Sequence, residues 1–142
     1  MIVGETNRGW NSTGVTSYGL ERVVWTGKMP FEILSMSAES DGFTLRFTKA
    51  VDAESAGDVE SYDLSSYTYL YHQDYGSPEI DGKGLVITDA EVSAGRMSVR
   101  LRVEGLRESY LHELHVGGVR SGDGESLLHD DGYYTLNRIP EG

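Results

Sequence analysis

Four histidines, His72, His112, His115 and His129, are the nitrogen ligands and general bases of a chain that has no cysteine. His112 and His115 bracket Glu113-Leu114, a pattern that invites a metal. The surrounding run, Tyr110-Leu-His-Glu-Leu-His-Val116, reads as a strand, and strand residues three apart point to opposite faces. They cannot close on one ion as histidines on a helix face can. The metal-ligand set read from the sequence is therefore none. His112 shares a face with Tyr110, Leu114 and Val116, so a buried imidazole is expected, with Tyr133 or Tyr134 as its hydrogen-bond partner. Without such a partner the ring would cost about 1–3 kcal/mol. His115 is expected to face outward beside Glu113.

Carboxylates cluster at Asp52-Ala-Glu54, Asp58-Val-Glu60, Asp123-Gly-Glu125 and His129-Asp130-Asp131. None follows the EF-hand spacing for calcium, and solvated acidic turns are the reading adopted, with a structural calcium as the alternative. Acidic residues that lie mainly in loops give no sign of the carboxylate pair across a cleft that glycoside hydrolysis requires, and no Gly-X-Ser-X-Gly elbow or phosphate loop is present. Catalytic residues and cofactors are read as none. Aromatic residues are the more suggestive group. Tyr67, Tyr69 and Tyr71 would share one strand face, and with His72 and Tyr75 they form the candidate ligand-binding set. Such a face can stack on sugars, or it can cover a core edge or a partner domain.

The elements that would hold these residues follow a period of two. Phe43-Thr-Leu45-Arg-Phe47 and Met97-Ser-Val99-Arg-Leu101-Arg-Val103 alternate apolar and polar residues, as half-buried strands do. Phe31 to Thr48 reads as a hairpin about Asp41-Gly42. Leu85–Val92 and Met97–Val103 read as a second, introduced by a turn at Asp81-Gly82-Lys83-Gly84, with Arg100 and Arg102 facing water. Lys49–Glu60 reads as a connection anchored by Val51 and Val59. Tyr62–Tyr71 should be one long strand, and Tyr133–Asn137 a closing one. About seven short strands without a long amphipathic helix predict an all-β, immunoglobulin-like antiparallel sandwich. Phe43, Leu45, Phe47, Val99, Leu101 and Leu114 are its expected core.

The chain's 142 residues fit one such domain. Lys and Arg number 12 against 23 Asp and Glu, so the surface repels phosphate backbones and nucleic acid is excluded as a partner. No apolar run approaches the ~20 residues of a membrane span. Met1–Trp10 lacks the basic start and apolar stretch of a signal peptide. Residues 1–28 differ from the rest in composition, with one strand-like run, Leu20–Thr26, and a glycine-rich stretch, Gly4–Gly19, expected to be the least ordered. The domain division read here is 1–28 and 29–142.

Trp25-Thr-Gly-Lys-Met-Pro-Phe-Glu-Ile33, Asp41-Gly-Phe-Thr-Leu-Arg-Phe-Thr-Lys-Ala-Val-Asp52, Tyr69-Leu-Tyr-His-Gln-Asp-Tyr-Gly-Ser-Pro-Glu79 and Tyr133-Tyr-Thr-Leu-Asn137 carry a family resemblance. Together they resemble a C-terminal region of large secreted proteins of planctomycete-type bacteria. There it follows a β-propeller similar to quinoprotein glucose or sorbosone dehydrogenases. The resemblance implies that residues 1–28, with Asn7-Arg-Gly-Trp10, are the last strands of a propeller, and that residues 29–142 are an immunoglobulin-like accessory module. It implies a periplasmic or extracellular location, and as partner the neighbouring domain of the parent chain. A chain without cysteine carries no Cys-X-X-Cys-His haem attachment, so any oxidoreductase activity would belong to the parent.

Overall fold

A computed structural model describes residues 1–6 and 18–142, apart from the side chains of Glu5 and Thr6. Nine strands are present among the described residues: β1 (Ile2–Thr6), β2 (Tyr18–Arg22), β3 (Ile33–Glu39), β4 (Gly42–Phe47), β5 (Asp63–Tyr69), β6 (Glu79–Val92), β7 (Ser98–Glu104), β8 (Tyr110–His115) and β9 (Asp131–Leu136). Helix is limited there to α1 (Ala53–Gly57) and a 3-10 turn at Val59–Ser61. The protein is all-β, and every strand pair is antiparallel.

Seven strands form one ladder in the order β3-β4-β7-β6-β5-β8-β9. Strand β6 makes that ladder two-layered. Its first half, from Glu79 to Leu85, pairs with β5, and its second half, from Val86 to Val92, pairs with β7. The layer of β3, β4 and β7 thereby faces the layer of β5, β8 and β9. Phe43 of β4 packs across the gap, with its ring centroid 5.4 Å from His112 of β8 and 5.6 Å from Tyr134 of β9. The outer edges β3 and β9 come back together, where Met36 and Ile33 lie over Gly132.

Alternation fills the space between the layers. Phe43, Leu45, Val99, Leu101 and Leu114 are fully buried and Phe47 is 1 % exposed, as the sequence pattern requires. Arg100 and Arg102, on the opposite face of β7, reach water among Glu39, Asp41, Asp89 and Glu91. The connection after β4 is anchored by fully buried Val51, whereas Val59 is only half-buried and Ala56 takes the second core position. Asp52 caps α1 by accepting from the Ser55 N–H at 2.9 Å, and Asp58 caps the 3-10 turn by accepting from Glu60 at 3.0 Å. The Leu128 N–H donates to the Phe31 carbonyl at 3.1 Å, so the start of β3 lies beside the approach to β9. Gly142 lies at the other pole, against Ser40 in the β3–β4 turn.

Several elements depart from the sequence reading. Asp81-Gly82-Lys83-Gly84 is no turn. It lies inside β6, where Asp81 and Gly82 together oppose Tyr67 in a β-bulge. Asp81 takes the left-handed conformation, with φ of 56°, so the Asp-Gly pair serves a bulge here. The first hairpin turns on Ser40-Asp41, with Gly42 already paired to Glu39. Strand β5 ends at Tyr69, two residues short of the expected Tyr71, whereas β9 starts at Asp131, two residues before the expected Tyr133, and ends at Leu136. In the N-terminal segment the strand-like run is shifted to Tyr18–Arg22, and its partner is β1 of the same chain. The ordering expected for Gly4–Gly19 and the motif Asn7-Arg-Gly-Trp10 concern mainly residues 7–17, outside the described residues.

Gly42 is a point where the two hairpins touch. An added Cβ there would fall well inside van der Waals contact with the Leu101 carbonyl oxygen, whereas Gly84 has open space about it. Gly42→Ala is expected to displace β4 from β7 and destabilise the fold by about 1–3 kcal/mol in urea denaturation. Gly84→Ala should change the midpoint little by comparison, and equal effects of the two would contradict the close approach.

Candidate functional site

The outward face of β5, β8 and β9 assembles polar side chains in two cross-strand rows. Pairing places Asp63, His115 and Asp131 side by side, and Ser65, Glu113 and Tyr133 in the next row. Period-two alternation then sends all six outward, while Leu64, His112 and Leu114 point to the core. Asp63, Ser65, Glu113, His115 and Asp131 line a shallow pocket of about 260 Å³. Asp130 reaches its rim, because its carbonyl accepts from the Val116 N–H at 2.8 Å just beyond the end of β8.

His115 is the centre of this pocket. Its Nδ1 lies 2.8 Å from Asp131 Oδ1, and its Nε2 lies 3.8 Å from Asp130 Oδ2. The hydrogen bond to Asp131, reinforced by the charges of Asp130, Asp131 and Asp63, holds the imidazole above the ordinary histidine value. Tyr133 Oη donates to Glu113 Oε1 at 3.1 Å, and that bond raises the phenol as well. Gly117 makes room for the ring, since an added Cβ would stand 2.8 Å from His115 Nε2. An imidazole nitrogen converging with two carboxylates is a donor set for a proton or a cation.

His112 belongs to the interior, where it is fully buried. The expected tyrosine hydroxyl partner is replaced by backbone. Nδ1 lies 3.3 Å from the Tyr110 carbonyl, and the Arg107 N–H donates to Nε2 at 3.5 Å. One neutral tautomer, with the proton on Nδ1, satisfies both. Tyr134 is instead the cross-strand neighbour of His112, and both rings lean on Phe43. Burial lowers the His112 pKa. The two histidines thus occupy opposite faces, as their spacing implies.

Sequence reasoning missed this pocket because its residues come from three separated strands. The one local signal was Asp130-Asp131, read together with His129. His129 turns away instead, with Nδ1 2.7 Å from Glu32 Oε1. The other acidic runs are taken up by the caps at Asp52 and Asp58 and by the ion pair of Glu125 with Lys49 at 2.5 Å.

The candidate tyrosines do not form one platform. Tyr67 and Tyr69 stand edge to face with centroids 5.6 Å apart, and Tyr67 is only 8 % exposed. Tyr71 and Tyr75 are fully exposed, beyond the end of β5, in the segment between β5 and β6. His72 lies in that segment too, with Nδ1 3.9 Å from Asp74 and Nε2 buried without a hydrogen-bond partner among the described residues. Pairing with β6 runs out just past Tyr69, where the Leu70 N–H donates to the Pro78 carbonyl at 3.0 Å and Pro78 has no N–H to give in return.

A second cluster ties the β7–β8 connection to the layer of β5, β8 and the first half of β6. Arg107 donates from Nη1 to the Asp81 carbonyl at 2.8 Å and to Ser66 Oγ at 3.2 Å, and pairs through Nη2 with the Asp81 carboxylate. Its guanidinium stacks 3.6 Å from the Tyr110 ring centroid, and Tyr110 Oη donates to Asp81 Oδ2 at 2.5 Å. The Tyr110 hydroxyl and the guanidinium together hold Asp81 below the usual carboxylate range.

No protein-family model matches the chain, and no curated protein matches it. Among solved structures, the S-layer protein rSbsC(31-844) superimposes with a TM-score of 0.58 at 17 % identity, over 77 % of this chain and 14 % of that one. The surface layer protein SbsC, domains 1-6, gives 0.58 at 18 % identity over the same shares. The N-terminal part of the bacterial S-layer protein SbsC gives 0.57 at 17 %, over 77 % of this chain and 24 % of that one. The likeness is one of fold, and this chain spans a minor fraction of each of those proteins. No helix among the described residues is long and apolar enough to cross a membrane.

The two histidines act on stability in opposite directions. His115, raised in the fold, contributes stability below its unfolded-state pKa and loses it as pH rises through the folded value. His112, lowered in the fold, contributes above its unfolded-state pKa and loses it as pH falls through the folded value. NMR titration of the ring nitrogens should place the His115 midpoint above the ordinary value and the His112 midpoint below it. Asp131→Asn should bring the His115 midpoint down and leave His112 unmoved.

Proposed function

We propose that this chain is a non-catalytic, immunoglobulin-like accessory module of a larger exported protein. Its N-terminal hairpin docks on the domain that precedes it. The observation that carries the reading is the hairpin itself. Strands β1 and β2 pair with each other in a sheet of two. Ile2, Tyr18, Leu20 and Trp25 are between 67 % and 82 % exposed in and beside that sheet. A lone two-stranded hairpin is marginal in water, and apolar side chains at this density favour cover by a partner. The resemblance to the region following a quinoprotein-type propeller supplies the nature of that partner, a blade that the hairpin would extend.

The fold likeness to surface-layer proteins supports the same assignment from another side. In those proteins the matching region is one part of a much longer chain. A well-filled two-layer core that leaves polar chemistry to shallow surface pockets suits a spacer or docking module, and a cell-surface or periplasmic location goes with that role.

Both tryptophans of the chain, Trp10 and Trp25, lie within residues 1–28, so fluorescence excited selectively at tryptophan reports, within this chain, on this segment alone. Joined to the preceding domain of its parent, the chain should show a blue-shifted, quencher-protected tryptophan signal relative to the chain by itself. An unchanged spectrum would remove the docking reading. Deleting residues 1–28 should shift the melting temperature by less than the ~4 °C that 1 kcal/mol represents in a domain of this size. Failure of the shortened chain to fold would assign the hairpin to the core instead.

A further inference from the structure

The two outer faces of the molecule handle their carboxylates differently. Over β4, β7 and the second half of β6, each of Glu39, Asp41, Asp89 and Glu91 lies within 4.0 Å of an Arg100 or Arg102 nitrogen. Over β5, β8 and β9, Asp63, Glu113, Asp130 and Asp131 gather about His115. Among the described residues, none of these four is within ion-pair distance of a lysine or arginine. Four carboxylates about a single imidazole leave a local negative potential that even a protonated His115 offsets only in part.

We propose that this pocket is a binding site for a divalent transition-metal ion, with His115, Asp130 and Asp131 each supplying one ligand atom. The three ligand atoms lie within 4.8 Å of one another, a spread that modest side-chain rotation closes onto one ion. One imidazole nitrogen with two carboxylate oxygens is a donor set for zinc and its neighbours, whereas calcium and magnesium favour oxygen alone. The pocket leaves open coordination positions to water, and Asp63 on β5 and Glu113 on the same strand as His115 add charge without joining the triad. Gly117 keeps the space beside Nε2 free of a side chain. The spacing that rules out a shared His112–His115 ion does not apply here, because Asp130 and Asp131 arrive from beyond β8 and from β9.

A proton competes with the ion for His115, and the charged groups facing that ring are Asp63 on β5, Glu113 on its own strand, and Asp130 and Asp131 on and before β9. All favour the imidazolium, so the ion binds more weakly as the solution is acidified. Titration of the full chain with zinc chloride in a mildly alkaline buffer should give one saturable calorimetric site per chain. His115→Ala should weaken that site about tenfold or more, Asp130→Asn should weaken it as well, and both variants should keep a cooperative melting transition. His129→Ala, which removes an imidazole engaged with Glu32, should leave the isotherm unchanged. Absence of a saturable site at millimolar zinc, or an isotherm indifferent to His115→Ala in a folded variant, would overturn the assignment.

Discussion

One strand holds two sheets together, and the rest of the fold depends on its being able to do so. Strand β6 gives its hydrogen bonds to β5 along its first half and to β7 along its second. Parting from one layer and joining the other demands a sharper twist than a regular strand supplies. Register shifts opposite Tyr67 and between Ile87 and Asp89 provide it. Leu85 sits at the crossing and is buried there. Arg107 then fixes the first bulge from the β7–β8 connection, joining Asp81 of β6, Ser66 of β5 and Tyr110 of β8 in one polar cluster. Its guanidinium has a carboxylate, a carbonyl and an aromatic face as partners, a combination that a lysine could not match.

Inside the fold the layers meet on aromatic contacts around a polar ring. His112, Phe43 and Tyr134 form a contiguous group, and the imidazole is tolerated because both nitrogens have backbone partners. That satisfaction works only for the neutral form, since Nε2 must accept. Core and surface histidines therefore stand in contrasting relations to the solvent proton, although two residues separate them in sequence.

What could be read beforehand was whatever depends on neighbours in sequence. Alternation at Phe43–Phe47 and Ser98–Val103 declared the strands, their buried faces and the outward arginines. Asp81-Gly82 misled because a left-handed aspartate before glycine suits a tight turn and a bulge equally, and only the length of pairing with β5 decides between them. Tyrosines at alternate positions suggested a shared face, but sequence period cannot tell where a strand loses its partner, and β5 loses it at Tyr69. The His115 pocket was illegible for a related reason. Asp63, His115 and Asp131 become neighbours through the registers of β5 with β8 and of β8 with β9. Registers between strands so far apart in the chain leave no mark on any local stretch.

The poles of the domain carry a mechanical consequence. The chain reaches β3 at Phe31, beside the approach to β9, and Gly142 lies at the opposite end against Ser40. Tension along a longer polypeptide would therefore run lengthwise through the two layers of strands, across roughly 20 Å for a strand of this length. Pulled that way, β3 has to slide along β4, and the hydrogen bonds between them share the load at once. A pair peeled from one end would give them up one by one. Strung in series, such a unit behaves as a stiff link that yields abruptly at high force and hardly at all below it.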